Sequence, residues 1–132
     1  MTPAITEEAF RAYIAAFNRD DYEAFSGRYA EDVLLVLGGK RELRGRQAVI
    51  DFYKGVKDAT HRQIKINRLI IGEDGVGAEL ESTFTALEDL PEGVLAKRLK
   101  KGETYHHITF ALFDIGPDGR FTRIRSARYQ SD

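Results

Sequence analysis

The chain has 132 residues, of which 42% are hydrophobic and 31% charged, as in one folded domain with a single core rather than a disordered segment. The 20 Lys and Arg nearly balance the 21 Asp and Glu, so nothing favours a nucleic-acid or membrane-surface partner. The absence of cysteine excludes disulfides and thiolate chemistry. MTPAITEEAF does not resemble a signal peptide, no segment could span a bilayer, and we therefore expect a cytoplasmic location.

The first half of the chain reads as mainly helical. Thr6 is a good N-cap, and one apolar stripe follows it at i, i+3, i+4 and i+7: Phe10, Tyr13, Ile14 and Phe17. A second helix is predicted from about Tyr22, with Phe25 and Tyr29 on one side. After it, the apolar run 33–37 predicts a buried strand. A third helix is predicted from about Arg46, with a stripe of the same spacing: Val49, Phe52, Tyr53 and Val56.

In the second half the period changes to two, which indicates strands. Four strands are predicted, over residues 63–71, 77–87, 103–113 and 121–129. In the second of these, one face is apolar or small: Ala78, Leu80, Ser82, Phe84 and Ala86. The sum is an α+β fold in which three N-terminal helices pack on a strongly curved, mostly antiparallel sheet.

The segment TYHHITFALF, residues 104–113, places two histidines side by side in a predicted strand. Neighbouring residues of a strand face opposite sides, so only one of the two faces the helices. His106 shares its face with Ile108, Phe110 and Leu112, the more apolar set. We therefore predict that His106 faces inward, either as a core histidine or as a titratable group in a pocket, and that His107 faces outward.

Three segments give the chain a resemblance to a known superfamily. They are AYIAAFNRDDYEAFSGRYAEDV (12–33), LRGRQAVIDFYKG (43–55) and DGRFTRIRSARY (118–129). The whole chain, 1–132, resembles a single domain of the nuclear transport factor 2-like superfamily, which includes SnoaL-like cyclases and ketosteroid isomerase. The resemblance implies a cone-shaped roll whose helices and curved sheet enclose an apolar pocket.

Ketosteroid isomerase uses an aspartate base and an oxyanion hole made of a tyrosine and a protonated aspartate. By resemblance, the oxyanion tyrosine is Tyr13, and the tyrosines that support it in some members are Tyr29 and Tyr53. The base position matches Leu37, which cannot move a proton. The position of the protonated acid matches His106 or Ile108. His106 is therefore our candidate for a replacement acid or base.

Further candidates concern the binding of a substrate. Arg128 matches a position that lines the pocket in the isomerases, although Tyr129 could face inward instead. We also expect three phenylalanines to contact the substrate: Phe17, Phe84 and Phe110. The connection 88–102 contains a basic cluster, which reads as a solvated hairpin or as a mobile lid: Lys97, Arg98, Lys100 and Lys101. The histidines are too scattered for a metal motif, and we expect neither a metal nor another cofactor.

Two classes of function remain open. The first is a cofactor-independent isomerase, cyclase or lyase that acts on a small apolar, aromatic or polycyclic compound, with Tyr13 and His106 as catalytic groups. The alternative is a module that binds a hydrophobic ligand without turnover. An epoxide hydrolase is a weaker idea, because we cannot place its Asp-Arg-Asp set. The resemblance also implies a homodimer through the outer face of the sheet.

Overall fold

A computed structural model describes residues 5–95 and 97–132 of the chain. Helices α1 to α3 and strands β1 to β6 occur in the order α1, α2, β1, β2, α3, β3, β4, β5, β6. The helices are α1 (Glu7–Asn18), α2 (Tyr22–Ser26) and α3 (Arg46–Ala59). The strands are β1 (Tyr29–Leu37), β2 (Arg41–Arg44), β3 (Thr60–Ile71), β4 (Gly75–Ala86), β5 (Thr104–Ile115) and β6 (Phe121–Ser131).

The three helices pack against one mixed, curved and unclosed sheet, which confirms the α+β prediction. The strand order is β2-β1-β6-β5-β4-β3, and β1 runs parallel to β6 while every other pair is antiparallel. The pairing register shifts at several points, as at a β-bulge, including one between Ile66 and Arg68 in β3. Such irregularities bend and twist a sheet, which allows it to wrap around the helices.

Helix α1 is capped as predicted, because the Thr6 hydroxyl accepts a hydrogen bond from the Ala9 N–H at 3.0 Å. Its buried stripe includes Phe10 and Phe17, which pack into the main core with the inner face of the sheet. A smaller apolar cluster lies under the segment between β4 and β5. No helix among the described residues is both long and apolar enough to cross a lipid bilayer.

Two details of the first half differ from prediction. Helix α2 ends at Ser26, so Tyr29 begins β1 instead of lying on a helical face. The short strand β2 was not predicted at all. It is held by pairing with β1, at Leu35 with Leu43 for example, and its RELR sequence has no apolar alternation of its own.

Candidate active site

A cavity of about 290 Å³ lies between the helices and the inner face of the sheet. Most of its wall is aliphatic or aromatic, and Phe17 and Phe84 are part of it, where the sequence placed them. Leu37, which the resemblance matched to the base of the isomerases, is also on the wall. The polar side chains on the wall come from α1, α3 and four different strands.

Two buried tyrosine hydroxyls form a hydrogen bond with each other at one side of the cavity. The hydroxyls of Tyr13 and Tyr29 lie 2.8 Å apart, and Tyr13 is on the cavity wall while Tyr29 is fully buried behind it. Burial raises the pKa of both phenols well above the usual value, so both stay protonated at neutral pH. Tyr53 also lines the cavity and stacks on Tyr29 with ring centroids 6.5 Å apart.

The two histidines face the opposite way from the prediction. His106 is on the outer face of β5, where its ring Nε2 lies 2.8 Å from a carboxylate oxygen of Glu81 and its backbone N–H donates to the Asp132 carboxylate. Phe110 is on the same outer face and is 51% exposed, so it does not line the cavity between the helices and the sheet. The prediction was wrong because it took the more apolar face of β5 to be the inner one.

His107 is the histidine on the cavity wall. Its ring meets Phe84 and Tyr105 edge-on, with centroids 5.2 and 5.4 Å away. Burial, helped by the charges of Arg62 and Arg128, lowers the pKa of His107 from 6.5 to about 4, so the imidazole is uncharged at neutral pH. Its Nε2 is buried and has no hydrogen-bond partner among the described residues.

Arg62, a partly buried side chain of β3, also lines the cavity and was not predicted as a site residue. Its guanidinium lies over the rings of Phe17 and Phe84, 5.3 and 4.8 Å from their centroids, and donates to the Ser82 hydroxyl at 3.2 Å. Burial lowers its pKa, and the phenols of Tyr53 and Tyr13 oppose that shift. A signal was present, because Arg62 shares its parity with Ile64 and Ile66 in the first half of β3, where the residues of the other parity are polar.

Arg128 faces the cavity, and this settles the alternative left open by the sequence. Its Nη1 donates to the hydroxyl of Tyr105 at 2.9 Å. Tyr129 instead lies on the outer face, stacked on Phe110 with centroids 4.2 Å apart. A third arginine on the wall, Arg41, lies 5.0 Å from the centroid of the Phe52 ring.

The connection between β4 and β5 is anchored to the domain by two leucines. Leu90 and Leu99 pair with each other and are 4% and 3% exposed, in the small cluster beside Phe84. Val94 and Leu95 reach the cavity wall, whereas the basic side chains of this connection are exposed. The solvated-hairpin interpretation of the basic cluster therefore fits the structure, and apolar side chains of the same hairpin cover part of the cavity.

Comparisons with known proteins agree with this architecture. The family model of the SnoaL-like domain matches residues 10–124. No curated protein matches the sequence. A candidate polyketide cyclase from Xanthomonas campestris is 29% identical, with a TM-score of 0.73 over 93% of this chain and 88% of that one. Another from Pseudomonas putida is 24% identical, with a TM-score of 0.75 over 98% and 93% of the two chains.

A third similar structure is a Mycobacterium tuberculosis protein in complex with estradiol-17β-hemisuccinate. It is 16% identical to this chain, with a TM-score of 0.72 over 89% of this chain and 88% of that one. At this level of identity the similarity shows the fold, and it also shows that a protein of this fold holds a steroid derivative.

Proposed function

Because the chain belongs to the SnoaL-like domain family, we propose that it is a cofactor-independent enzyme that moves a proton next to a carbonyl group. The substrate is a small apolar compound, aromatic or polycyclic, and the reaction is an isomerisation, a cyclisation or an elimination. The observation that carries the proposal is that a buried phenol, Tyr13, and an uncharged imidazole, His107, share one largely apolar cavity. Estradiol-17β-hemisuccinate in a protein of the same fold supports the class of ligand.

Tyr13 is the proposed oxyanion donor. When a proton leaves the carbon beside a carbonyl, negative charge develops on the carbonyl oxygen, and a fixed O–H group stabilises it in the transition state. Tyr29 supports this role, because we assign it as the donor of the hydrogen bond between the two hydroxyls, which leaves the Tyr13 proton free for the substrate and strengthens its donation. Tyr53 provides a further wall for the ring system of the substrate.

His107 replaces His106 as the proposed base. Its pKa of about 4 is close to the value of roughly 4.6 for the aspartate base of ketosteroid isomerase, where the oxyanion donors compensate for a weak base. Nε2 is buried, so we assign the proton transfer to the other ring nitrogen, Nδ1. In an isomerisation the imidazolium returns the proton to another carbon, whereas in a cyclisation the enolate carbon attacks an internal electrophile.

The test uses 2-tetralone, a bicyclic ketone, in D₂O. Proton NMR follows the exchange of the hydrogens next to its carbonyl, which reports proton abstraction without knowledge of the natural substrate. We expect Tyr13→Phe to slow the catalysed exchange by about 10²-fold, and His107→Gln to abolish it. Tyr22→Phe is the matched control, since Tyr22 is a half-buried phenol away from the cavity wall. Unchanged exchange in Tyr13→Phe would refute the donor assignment.

The second candidate is a binding protein for a hydrophobic ligand. The observation in its favour is Leu37 on the wall at the family's base position. This candidate predicts binding of 2-naphthol, a stable mimic of the enol, with no exchange of 2-tetralone above the buffer rate. The epoxide-hydrolase idea finds less support, because the described residues of the cavity wall include no aspartate or glutamate.

We further propose that residues 1–132 form one domain and that the protein is cytoplasmic. We also propose that it forms a homodimer through the outer face of the sheet. The outer face of the sheet has a broad apolar depression of about 540 Å³. Its exposed side chains include Ile70, Phe110 and Leu112, each more than half exposed. Large apolar side chains grouped on one exposed face are typical of a protein–protein contact. The outward His106 lies on this face, where the sequence analysis had placed His107.

A further inference from the structure

The charged side chains on the described part of the cavity wall are all positive. Arg41, Arg62 and Arg128 line it, and no described residue of the wall is acidic. None of the three arginines makes a salt bridge among the described residues. Arg41 and Arg128 are exposed, but Arg62 is partly buried, and a charged group withdrawn from water is normally paired because burial of an unpaired charge is costly. The largely buried Lys57 follows this rule, since its Nζ lies 2.6 Å from an Asp20 carboxylate oxygen.

Arg62 is held in place by its neighbours, but most of its N–H donors make no hydrogen bond with the described residues. The rings of Phe17 and Phe84 fix the plane of the guanidinium, and Ser82 accepts its only side-chain hydrogen bond among the described residues. A guanidinium has five N–H donors arranged to bind two oxygens at once. An arginine that is oriented in this way, with most donors unused, is prepared for an anionic oxygen ligand.

A continuous row of contacts joins Arg62 to the second cation. Phe84 lies between Arg62 and His107, and Tyr105 lies between His107 and Arg128, where its hydroxyl accepts a hydrogen bond from Nη1 at 2.9 Å. The row crosses the inner face of β3, β4, β5 and β6. His107 therefore sits in the middle of the row, and both guanidinium charges act on its ring.

From this arrangement we infer that the cavity takes a ligand with an anionic oxygen, an aromatic carboxylate or an ionised phenol, which binds Arg62 beside His107. Arg128 adds to the attraction from the other end of the row. The inference rests on the proposed function only in taking this cavity as the ligand site, and it narrows the substrate class from apolar compounds to apolar acids. The planar, delocalised guanidinium suits both parts of such a ligand, since it pairs with oxygens and stacks on rings.

The affinity test compares two ligands of nearly equal shape at pH 7, 2-naphthoate and the neutral 2-naphthamide, by isothermal titration calorimetry. The unaltered protein should bind the naphthoate at least tenfold more tightly. Arg62→Met keeps the apolar stem between the two rings and should abolish this preference. Arg68→Met should preserve it, because Arg68 lies on the same strand but lines the outer depression. No preference in the unaltered protein, or a preference that survives in Arg62→Met, would overturn the inference.

A second measurement needs no variant. An anion at Arg62 would offset the positive charge that acts on His107 and would raise the pKa of its imidazole. NMR titration of the His107 ring should show a higher midpoint with 2-naphthalenesulfonate, which stays ionised throughout, than with neutral 2-naphthalenesulfonamide. Equal midpoints with the two ligands at saturation would contradict the placement of the anion.

The inference and the proposed function fail separately. Binding of naphthoate that depends on Arg62, without any exchange of 2-tetralone, would keep the anion site and leave a binding protein. Exchange that depends on Tyr13, without any preference for naphthoate, would keep the enzyme and remove the anion site.

Discussion

Protonation of His107 should make the folded state less stable in acid, by an amount that the structure allows to be calculated. The pKa of His107 is about 4 in the fold, against 6.5 when unperturbed. Well above pH 6.5 the ring is neutral in both states and contributes nothing to the pH dependence. As the pH falls from 6.5 to 4, the unfolded chain binds a proton that the folded chain does not, so the free energy of unfolding decreases. At about 1.36 kcal/mol per pH unit the ceiling is about 3 kcal/mol. Because His107 is only partly buried and solvent screens its charge, we expect about 2 kcal/mol.

The assay is urea unfolding of the unaltered protein and His107→Gln at pH 7.5 and pH 4.5. Between these values the unaltered protein should lose about 2 kcal/mol more than the variant, since carboxylates elsewhere titrate equally in both. His61→Gln provides the control, because His61 is exposed at the start of β3. If the unaltered protein and His107→Gln lose stability in parallel, the cavity does not lower the pKa of the His107 imidazole.

Two further predictions concern stability and assembly. Lys57 is buried and donates to the Phe17 carbonyl at 2.7 Å, so Lys57→Met should lower the free energy of unfolding by about 2 kcal/mol. Lys54→Met, exposed on the same helix, should change it little, and equal urea midpoints would contradict the prediction. Phe110→Ser should shift the proposed homodimer towards monomer in sedimentation velocity, whereas Val94→Ser, exposed on the hairpin, should not. A dimer unchanged by Phe110→Ser would exclude this face.

The helices could be predicted because their signals are local. In α1 the cap at Thr6 and the stripe from Phe10 to Phe17 come from adjacent turns, and the structure has both. The wrong prediction that Tyr29 lies on a helix also has a physical cause. It lies at the helical spacing from Phe25, but pairing with Phe121 in β6 makes it the first residue of a strand. Such pairing between residues far apart in the chain leaves no mark on a local pattern.

The facing of β5 shows why site residues are harder to predict than core residues. The rule that the apolar face of a strand points inward assumes that only the core excludes water. Here the inner face holds the polar groups of a cavity, including His107, and the outer face holds Phe110 and Leu112. With a polar site on the inner face and an apolar surface on the outer face, β5 has the reverse of the usual pattern, in which the apolar residues face inward.

The inward-facing residues of β5 can be identified reliably from its pairing with the neighbouring strand β4. The inward set of β4 was predicted correctly, and in an antiparallel pair directly opposed residues share a face. Ser82 lies opposite His107, and Phe84 opposite Tyr105, so the register alone turns His107 inward. The same step from Phe84 across to β3 reaches Arg62. Both residues that pattern analysis missed therefore lie opposite residues that it placed correctly, and both are polar side chains at inward positions of a strand. Such residues are costly to keep in a cavity wall unless a ligand binds them. Inward polar residues that are identified from the strand register therefore indicate a site of this kind better than the apolar pattern of a single strand does.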